Sequence, residues 1–214
     1  MTTDVTIGRI ITCDADVAEG AAWLCAQDTR FAQAVEKTGP LPLRRQADGF
    51  GALLDAIVGQ QVSVASARAI WTRLEGAGLT DQAAMAGASD EVLRSVGLSR
   101  QKARYGRALA QAGIDFNGLR AASDTDVIAT LVAVPGIGTW TAEIYAMFAL
   151  GRADVFAHGD LALQEAARDL LGLTARPKEK EMRDIAMAWS PWRAVAARVL
   201  WAHYRVMKQR EGVR

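Results

Sequence analysis

The residues with the clearest chemical potential lie in one stretch, Leu131 to Leu163, which reads LVAVPGIGTWTAEIYAMFALGRADVFAHGDLAL. Within it, Pro135 and Gly136 end an apolar helix and force a tight turn. Gly138 then leads into a new helix, whose first N–H groups have no intrahelical acceptor and can bind a phosphate. Such a hairpin holds a nucleic-acid backbone without reading bases. The PGIG letters alone are equally compatible with an ordinary turn between two helices.

Asp160 is the acidic residue of this stretch that could act on a bond. The nearest preceding acid, Asp154, is six residues away, so Asp160 has no partner carboxylate beside it in sequence. A single carboxylate can stabilise developing positive charge or orient a water, whereas most glycosidases use two. The alternative is a helix N-cap for LALQEAARDLL, and the two roles are compatible. His158, two residues earlier, is expected to be an exposed loop residue.

Composition excludes several classes of protein. The chain has 214 residues, a net charge of +1 and 50% hydrophobic residues, which excludes intrinsic disorder. Two cysteines and two histidines cannot form a four-cysteine zinc or iron–sulfur site or a three-histidine metal site. No apolar run approaches the ~18 residues of a membrane span, and no secretory signal is recognisable. We therefore expect a cytoplasmic protein with no membrane contact.

The elements that position these residues are predicted to be helices almost throughout. Alanine is abundant, and apolar residues recur at spacings of three and four. The predicted N-caps are Thr80, Ser89, Ser99 and Ser123. The only strand candidate runs from about Val5 to Thr12.

Two breaks in the helical pattern divide the chain. The first, Thr38 to Gly49, reads TGPLPLRRQADG and has no helical period. The second lies between Leu150 and Asp160. They predict a central helical domain at residues 49–152 and a second helical domain made of residues 1–48 plus 153–214, which carries Asp160.

Positive charge is concentrated in two runs, although the whole chain is nearly neutral. Residues 94–107 contain five basic residues and no acid, and residues 193–214 contain six basic residues and one acid, so each run carries +5. Either run alone is best explained as a solvated helix face. Two such runs in one compact protein indicate a phosphate-facing surface.

These motifs together resemble a known family. The pattern PGIGxxTA is followed by an apolar helix, by FALGRADVF and then by Asp160. This order resembles the helix-hairpin-helix, Gly/Pro-rich, Asp motif of DNA glycosylases. LLDAIVGQQVSVASARAIWTRL, GLSRQKARYGRALA and SPWRAVAARVLWAHY resemble further segments of the 3-methyladenine DNA glycosylase II branch. The resemblance covers roughly residues 50–205. Because the N-terminal segment is short, the chain resembles the compact form that lacks an extra N-terminal β domain.

The resemblance assigns the catalytic role to Asp160. Relatives that also cut the strand carry a lysine two residues after the second hairpin glycine, and Trp140 stands there in this chain. Without an amine at that position no Schiff base with the sugar can form, which implies a monofunctional enzyme. No cofactor and no catalytic metal are implied.

Other roles follow from the same resemblance. Trp140 and Trp201 match aromatic residues that line the base pocket; for a lone tryptophan, a place in the core is the common alternative. Gln61 matches the residue that wedges into the duplex; a helix cap or a surface amide is its alternative. The main-chain carbonyls of Val132, Val134 and Ile137 match those that hold a structural cation. The residues expected to contact DNA are Gln61, Pro135, Gly136, Ile137, Gly138, Thr139 and Thr141.

Two positions depart from the family pattern, and they leave the range of substrates open. Ile144 stands where large members have an aromatic residue, and Thr139 stands where many relatives have a basic one.

These observations predict an all-α protein with two helical subdomains, a helix-hairpin-helix motif and a DNA-binding cleft between the subdomains. The expected activity is hydrolytic excision of alkylated bases from double-stranded DNA, chiefly 3-methyladenine and also 7-methylguanine. We expect a monomer, associated with the nucleoid through DNA if the source is bacterial. The alternatives are a non-catalytic DNA-binding or damage-sensing protein, and a helical scaffold in which PGIG is merely a turn.

Overall fold

The structure is a computed structural model that describes residues 7–212, with side chains described through residue 209. Thirteen α-helices and one 3-10 turn form its regular structure, so the predicted all-α fold is confirmed. None of the helices in this range is long and apolar enough to cross a membrane. The helices are α1 (Asp14–Gln27), α2 (Thr29–Thr38), α3 (Phe50–Gly59), α4 (Val64–Gly76), α5 (Gln82–Gly87), α6 (Asp90–Ser95), α7 (Arg100–Gln111), α8 (Phe116–Ala121), α9 (Asp124–Val132), α10 (Thr139–Phe148), α11 (Leu161–Leu171), α12 (Glu179–Ala186) and α13 (Arg193–Gly212). The 3-10 turn spans Met187–Trp189.

The predicted N-terminal strand is wrong for the residues that the structure describes. Between residues 7 and 12 there is only an isolated antiparallel bridge, from Ile10 to Arg152. The Ile11 N–H donates to the Gly151 carbonyl at 2.7 Å, and the Ala153 N–H donates to the Arg9 carbonyl at 3.0 Å. Pairing stops there because the partner is a short connection between α10 and α11. Val5 and Thr6 lie outside the described residues.

Side-chain caps start several helices at the predicted positions. The hydroxyls of Ser89, Ser99 and Ser123 accept N–H groups from the first turns of α6, α7 and α9. The predicted cap Thr80 is off by one residue. Asp81 caps α5 instead, and its carboxylate accepts the Ala84 N–H at 2.9 Å.

The chain folds as two compact units, of which the first comprises residues 46–145. In this unit α7 packs against α3, α5 and α6. Gly106 allows this close packing, because a Cβ there would lie 3.2 Å from the Met85 sulfur and 3.3 Å from a Leu54 methyl group. The side chains of Leu53, Leu54 and Ile57 on α3 are fully buried.

The second unit joins residues 7–45 to residues 146–212. Its central helix is α13, which packs against α1, α2 and α11. The side chains from Ala194 to Leu200 are all buried, which includes the guanidinium of Arg198. Gly20 lets α1 approach closely, because a Cβ there would lie 2.6 Å from atoms of Trp192 and Val195.

Candidate active site

The hairpin of the first unit is built by a short turn between α9 and α10. The Ile137 N–H donates to the Val134 carbonyl at 3.0 Å, and the Ala142 N–H donates to the Gly138 carbonyl at 3.0 Å. Val134 and Ile137 are buried and anchor the turn. Pro135, Gly138, Thr139 and Val132 are exposed, whereas Gly136 and Thr141 are half-buried. The turn therefore exposes Pro135, Gly138 and Thr139, while its two apolar side chains hold it on the unit.

Position 136 requires a glycine, because of its backbone conformation and the nearby side chain of Tyr105. Its φ is +95°, and a Cβ on it would lie 2.3 Å from the Tyr105 Cγ. Its carbonyl accepts the side-chain amide of Gln60 at 2.9 Å. Neither Gln60 nor Tyr105 was predicted from the sequence to support the hairpin. The adjacent glutamines of GQQVS were the available signal, but nothing in that motif distinguishes the one that faces inward.

Gln61 occupies the position after that support. It is exposed and has a φ of +55°, one of two non-glycine residues with positive φ in the described chain. Such a backbone conformation is disfavoured for residues with a Cβ and is concentrated at functional sites. The cap alternative is not supported, because Gln60 is the C-cap of α3 and Ser63 is the N-cap of α4. The exposed side chain can contact a partner.

Trp140 is not a core residue. Its side chain is 48% exposed, on the first turn of α10 directly after the hairpin. An aromatic ring of this size at a helix start is available for stacking on a planar ligand.

Asp160 lies in the second unit and caps α11. Its Oδ1 accepts the N–H groups of Ala162 at 2.9 Å and Leu163 at 3.0 Å. These bonds fix the orientation of the carboxylate at the helix start. The N-cap role that the sequence suggested is thus present. Leu161, the next residue, is 61% exposed, so the helix start borders solvent.

His158 is buried, which contradicts the expectation of an exposed loop histidine. Its ring lies 5.2 Å from that of Phe156, and its main-chain carbonyl accepts the Gln164 amide at 2.8 Å. The residues before Asp160 therefore form a packed turn, because the apolar run from Val155 to Ala157 is drawn into the core. His203 is also buried, and its Nε2 lies 2.7 Å from the Asp169 carboxylate.

Trp201, on α13 of the same unit as Asp160, is half-buried. Its ring centroid lies 5.7 Å from that of the buried Phe148, with an interplanar angle of 34°. The guanidinium carbon of Arg44 lies 5.8 Å from the Trp201 centroid. Trp201 is thus part of an aromatic cluster that still reaches the surface.

The basic runs are partly used inside the protein. Arg107 pairs with Asp90, and Lys102 donates to the Val58 carbonyl at 2.7 Å. In the second run, Arg193 pairs with Asp154 at 2.7 Å and Arg198 is buried. Burial lowers the pKa of both Lys102 and Arg198, the latter to about 10. The exposed cations that remain on the first run are Arg94, Arg100 and Arg104.

The described side chains do not form a metal-binding cluster. Between residues 7 and 212, no group of three or more His, Cys, Asp or Glu side chains could hold a metal ion. The carbonyls of Val132, Val134 and Ile137 belong to the hairpin turn, and that of Val134 also accepts the Ile137 N–H.

Comparison with known proteins decides the family. Residues 54–191, more than half of the chain, match the HhH-GPD superfamily of base excision DNA repair proteins. The chain belongs to this superfamily. The matched range contains both the hairpin and Asp160.

Similar proteins cover nearly the whole chain. A crystal structure of a DNA-3-methyladenine glycosidase from Bacillus halodurans is 35% identical, covers 94% of each chain and has a TM-score of 0.81. A 3-methyladenine DNA glycosylase of Schizosaccharomyces pombe in complex with abasic DNA is 25% identical, covers 86% of this chain and 95% of its own, and has a TM-score of 0.72. An alkylbase DNA glycosidase-like protein of the same yeast is 24% identical over 88% of this chain and 94% of its own.

Proposed function

We propose that this superfamily member is a DNA glycosylase that hydrolyses the N-glycosidic bond of alkylated bases and leaves an abasic site. The observation that carries the proposal is Asp160, which is oriented at the start of α11 and follows the hairpin in a chain of this superfamily. Similar proteins are named for 3-methyladenine and alkylbase excision, which supports the same substrate class. We expect 3-methyladenine as the chief substrate and 7-methylguanine as a second one.

The hairpin and Gln61 are proposed to hold the DNA. The exposed turn at Pro135–Thr139 brings main-chain N–H groups to a phosphate, as helix starts commonly do. Gln61 fills the gap that the flipped base leaves, and flipping costs a few kcal/mol of lost stacking. Its exposed side chain and positive φ support this role.

Asp160 acts at the sugar. A purine methylated at N3 or N7 carries a positive charge and leaves as a neutral base, so the reaction needs no general acid. As the bond from C1′ to the base nitrogen breaks, its electron pair goes to the base and C1′ becomes an oxocarbenium ion. The carboxylate of Asp160 stabilises that cation and orients a water, which adds to C1′ and gives up a proton to the carboxylate; the proton then passes to solvent.

The enzyme is proposed to be monofunctional. Trp140 stands where strand-cutting relatives have lysine, and an indole cannot form a Schiff base with the abasic sugar. Borohydride should therefore trap no covalent complex between the protein and methylated DNA. A trapped adduct would overturn this part of the proposal.

The two tryptophans are proposed to recognise the base. An electron-rich indole attracts a cationic alkylated base, by about 0.5–2 kcal/mol. The half-exposed ring of Trp140 and the surface-reaching ring of Trp201 can each supply such a face. This preference is modest, so the weak glycosidic bond of the alkylated base must also contribute to selectivity.

A cation is proposed to stabilise the hairpin but to take no part in the reaction. The carbonyl oxygens of Val132, Val134 and Ile137 are hard donors, which suit a monovalent or divalent hard cation. Its charge would add to the attraction between the turn and a phosphate.

We expect the protein to act as a monomer on double-stranded DNA in the cytoplasm, with no cofactor.

A non-catalytic DNA-binding protein is the second candidate, because the cap role of Asp160 alone would explain the residue. One assay separates the two functions. Release of free 3-methyladenine from methylated duplex DNA is measured, and binding of the same duplex is measured in parallel. Base release supports the enzyme, whereas salt-dependent binding without release supports the binding protein.

A further inference from the structure

The surface side of Trp201 is covered by an exposed cation. Phe148, the aromatic neighbour of Trp201, is buried and holds the ring from inside the unit. Arg44 is exposed, and its guanidinium carbon lies 5.8 Å from the Trp201 ring centroid. A base that stacks on Trp201 from the surface must therefore displace Arg44 or lie against it.

The backbone around Arg44 is held in place by a buried residue. Arg198 donates from Nη2 to the Leu43 carbonyl at 2.9 Å and from Nε to the Pro42 carbonyl at 3.3 Å. Its third bond, to the Ala194 carbonyl at 2.8 Å, ties these contacts to α13. Arg44 itself has a φ of +52°, a conformation that is disfavoured for a residue with a Cβ. The contacts of Arg198 thus fix a strained backbone that brings the guanidinium of Arg44 over the ring.

The charge of Arg44 is not neutralised locally. Among the described side chains, no carboxylate forms an ion pair with Arg44, and the charged groups that interact with it electrostatically include Arg198 and Arg205. Partial burial of its guanidinium lowers the pKa of Arg44, and the positive charge of Arg205 lowers it further. Burial lowers the pKa of Arg198, and the positive charge of Arg44 adds to that effect. The space over Trp201 therefore has a positive potential, although the indole face itself attracts cations.

We propose that Arg44 is a base-recognition residue, whose guanidinium covers Trp201 and disfavours the binding of cationic alkylated bases at that ring. The inference rests on the proposed function, because it assumes that a base stacks on Trp201. The tryptophan rings alone are expected to attract a cationic base. Arg44 reduces this attraction at Trp201, because its guanidinium and the cationic base compete for one ring.

The test compares variants that separate charge from size. Arg44→Gln removes the charge, and Arg44→Lys keeps it. Both retain a Cβ at the strained position, so neither adds backbone strain. Arg45→Ala is the matched control, because it removes the same charge one residue away. For each protein, kcat/KM is measured for release of 7-methylguanine and 3-methyladenine, and Kd is measured for abasic-site DNA, which has no base to stack. Thermal melting checks folding.

We expect Arg44→Gln to raise kcat/KM for both cationic bases by about threefold to tenfold. Arg44→Lys and Arg45→Ala should stay within about twofold of the wild type, and Kd for abasic-site DNA should not change. An unchanged or lower kcat/KM in Arg44→Gln would overturn the inference, as would an equal rise in Arg44→Lys. A weaker Kd for abasic-site DNA in Arg44→Gln would instead make Arg44 a phosphate contact, which also overturns it. If the wild type releases no base at all, the proposed function itself is contradicted, and this outcome is distinct from the failure of the inference about Arg44.

Discussion

Adjacent residues of similar type in this protein have different roles, and Gln60 and Gln61 are the clearest case. The Gln60 amide supports the hairpin from inside, whereas Gln61 is exposed with a left-handed backbone. The motif GQQVS identifies the pair but not the division of roles, since that depends on how the chain leaves α3. Arg44 and Arg198 were missed for a similar reason: their contacts join residues more than 150 positions apart in the chain.

Trp140 allows recognition to be tested apart from folding. Because its side chain is 48% exposed, Trp140→Ala should change the free energy of unfolding by less than about 1 kcal/mol. Loss of stacking should lower kcat/KM for 3-methyladenine release by about twofold to thirtyfold. Trp71→Ala, on α4, is the control, since Trp71 is half-buried and its indole N–H bonds to Glu75. A loss of activity explained entirely by unfolding would argue for a core role of Trp140.

At the scale of elements, features that depend on neighbouring residues were predicted well from the sequence, whereas features that depend on contacts between distant residues were not. The caps Ser89, Ser99 and Ser123 follow from short-range hydrogen bonding that the sequence determines directly. The strand predicted near residue 10 failed because a strand needs a partner, and residues 151–153 provide only an isolated bridge. The hairpin was predicted from PGIG. Tyr105 and Gln60, which support it, lie in other parts of the chain, so the motif itself does not indicate them.

The two glycines of the hairpin provide a matched pair of substitutions. Gly136→Ala should destabilise the protein by about 2–4 kcal/mol, because φ is +95° and the new Cβ would meet Tyr105 at 2.3 Å. Gly138→Ala meets nothing within 4 Å and should change stability by less than about 1 kcal/mol. Its methyl group should nevertheless weaken DNA binding, because the proposed phosphate approaches there. Urea unfolding and fluorescence anisotropy measure the two effects; unchanged DNA affinity in Gly138→Ala would argue against the phosphate role.

For the whole molecule, the net charge of +1 is a poor guide to DNA binding. Each basic run carries +5, and the rest of the chain carries a net negative charge that offsets them. Not all of these cations face solvent, because some are buried or bonded to other groups of the protein: Lys102, Arg107, Arg193 and Arg198. The two runs can be counted directly from the sequence. It could not predict which cations would be exposed, because that depends on partners such as Asp90 and Asp154.

The exposed arginines of the first run should contribute to the salt dependence of DNA binding. Arg100→Ala combined with Arg104→Ala should reduce the slope of log K against log salt by up to about two, since each phosphate contact contributes about 0.9. Arg176→Ala combined with Lys180→Ala removes two exposed cations from the second unit and is the charge-matched control. Equal slopes for the two double variants would show that only total charge matters, and would contradict a specific basic surface on α7.

The most direct test of the proposed enzyme is Asp160→Asn. Asparagine is as good an N-cap as aspartate, so the start of α11 should be retained while the negative charge is lost. Asp81→Asn, at the cap of α5, is the matched control for the same change. We predict that Asp160→Asn releases 3-methyladenine from methylated DNA at least about a hundredfold more slowly than the wild type, with its affinity for abasic-site DNA retained and Asp81→Asn fully active. Wild-type rates of base release by a folded Asp160→Asn protein would contradict the assignment of Asp160 as the catalytic residue.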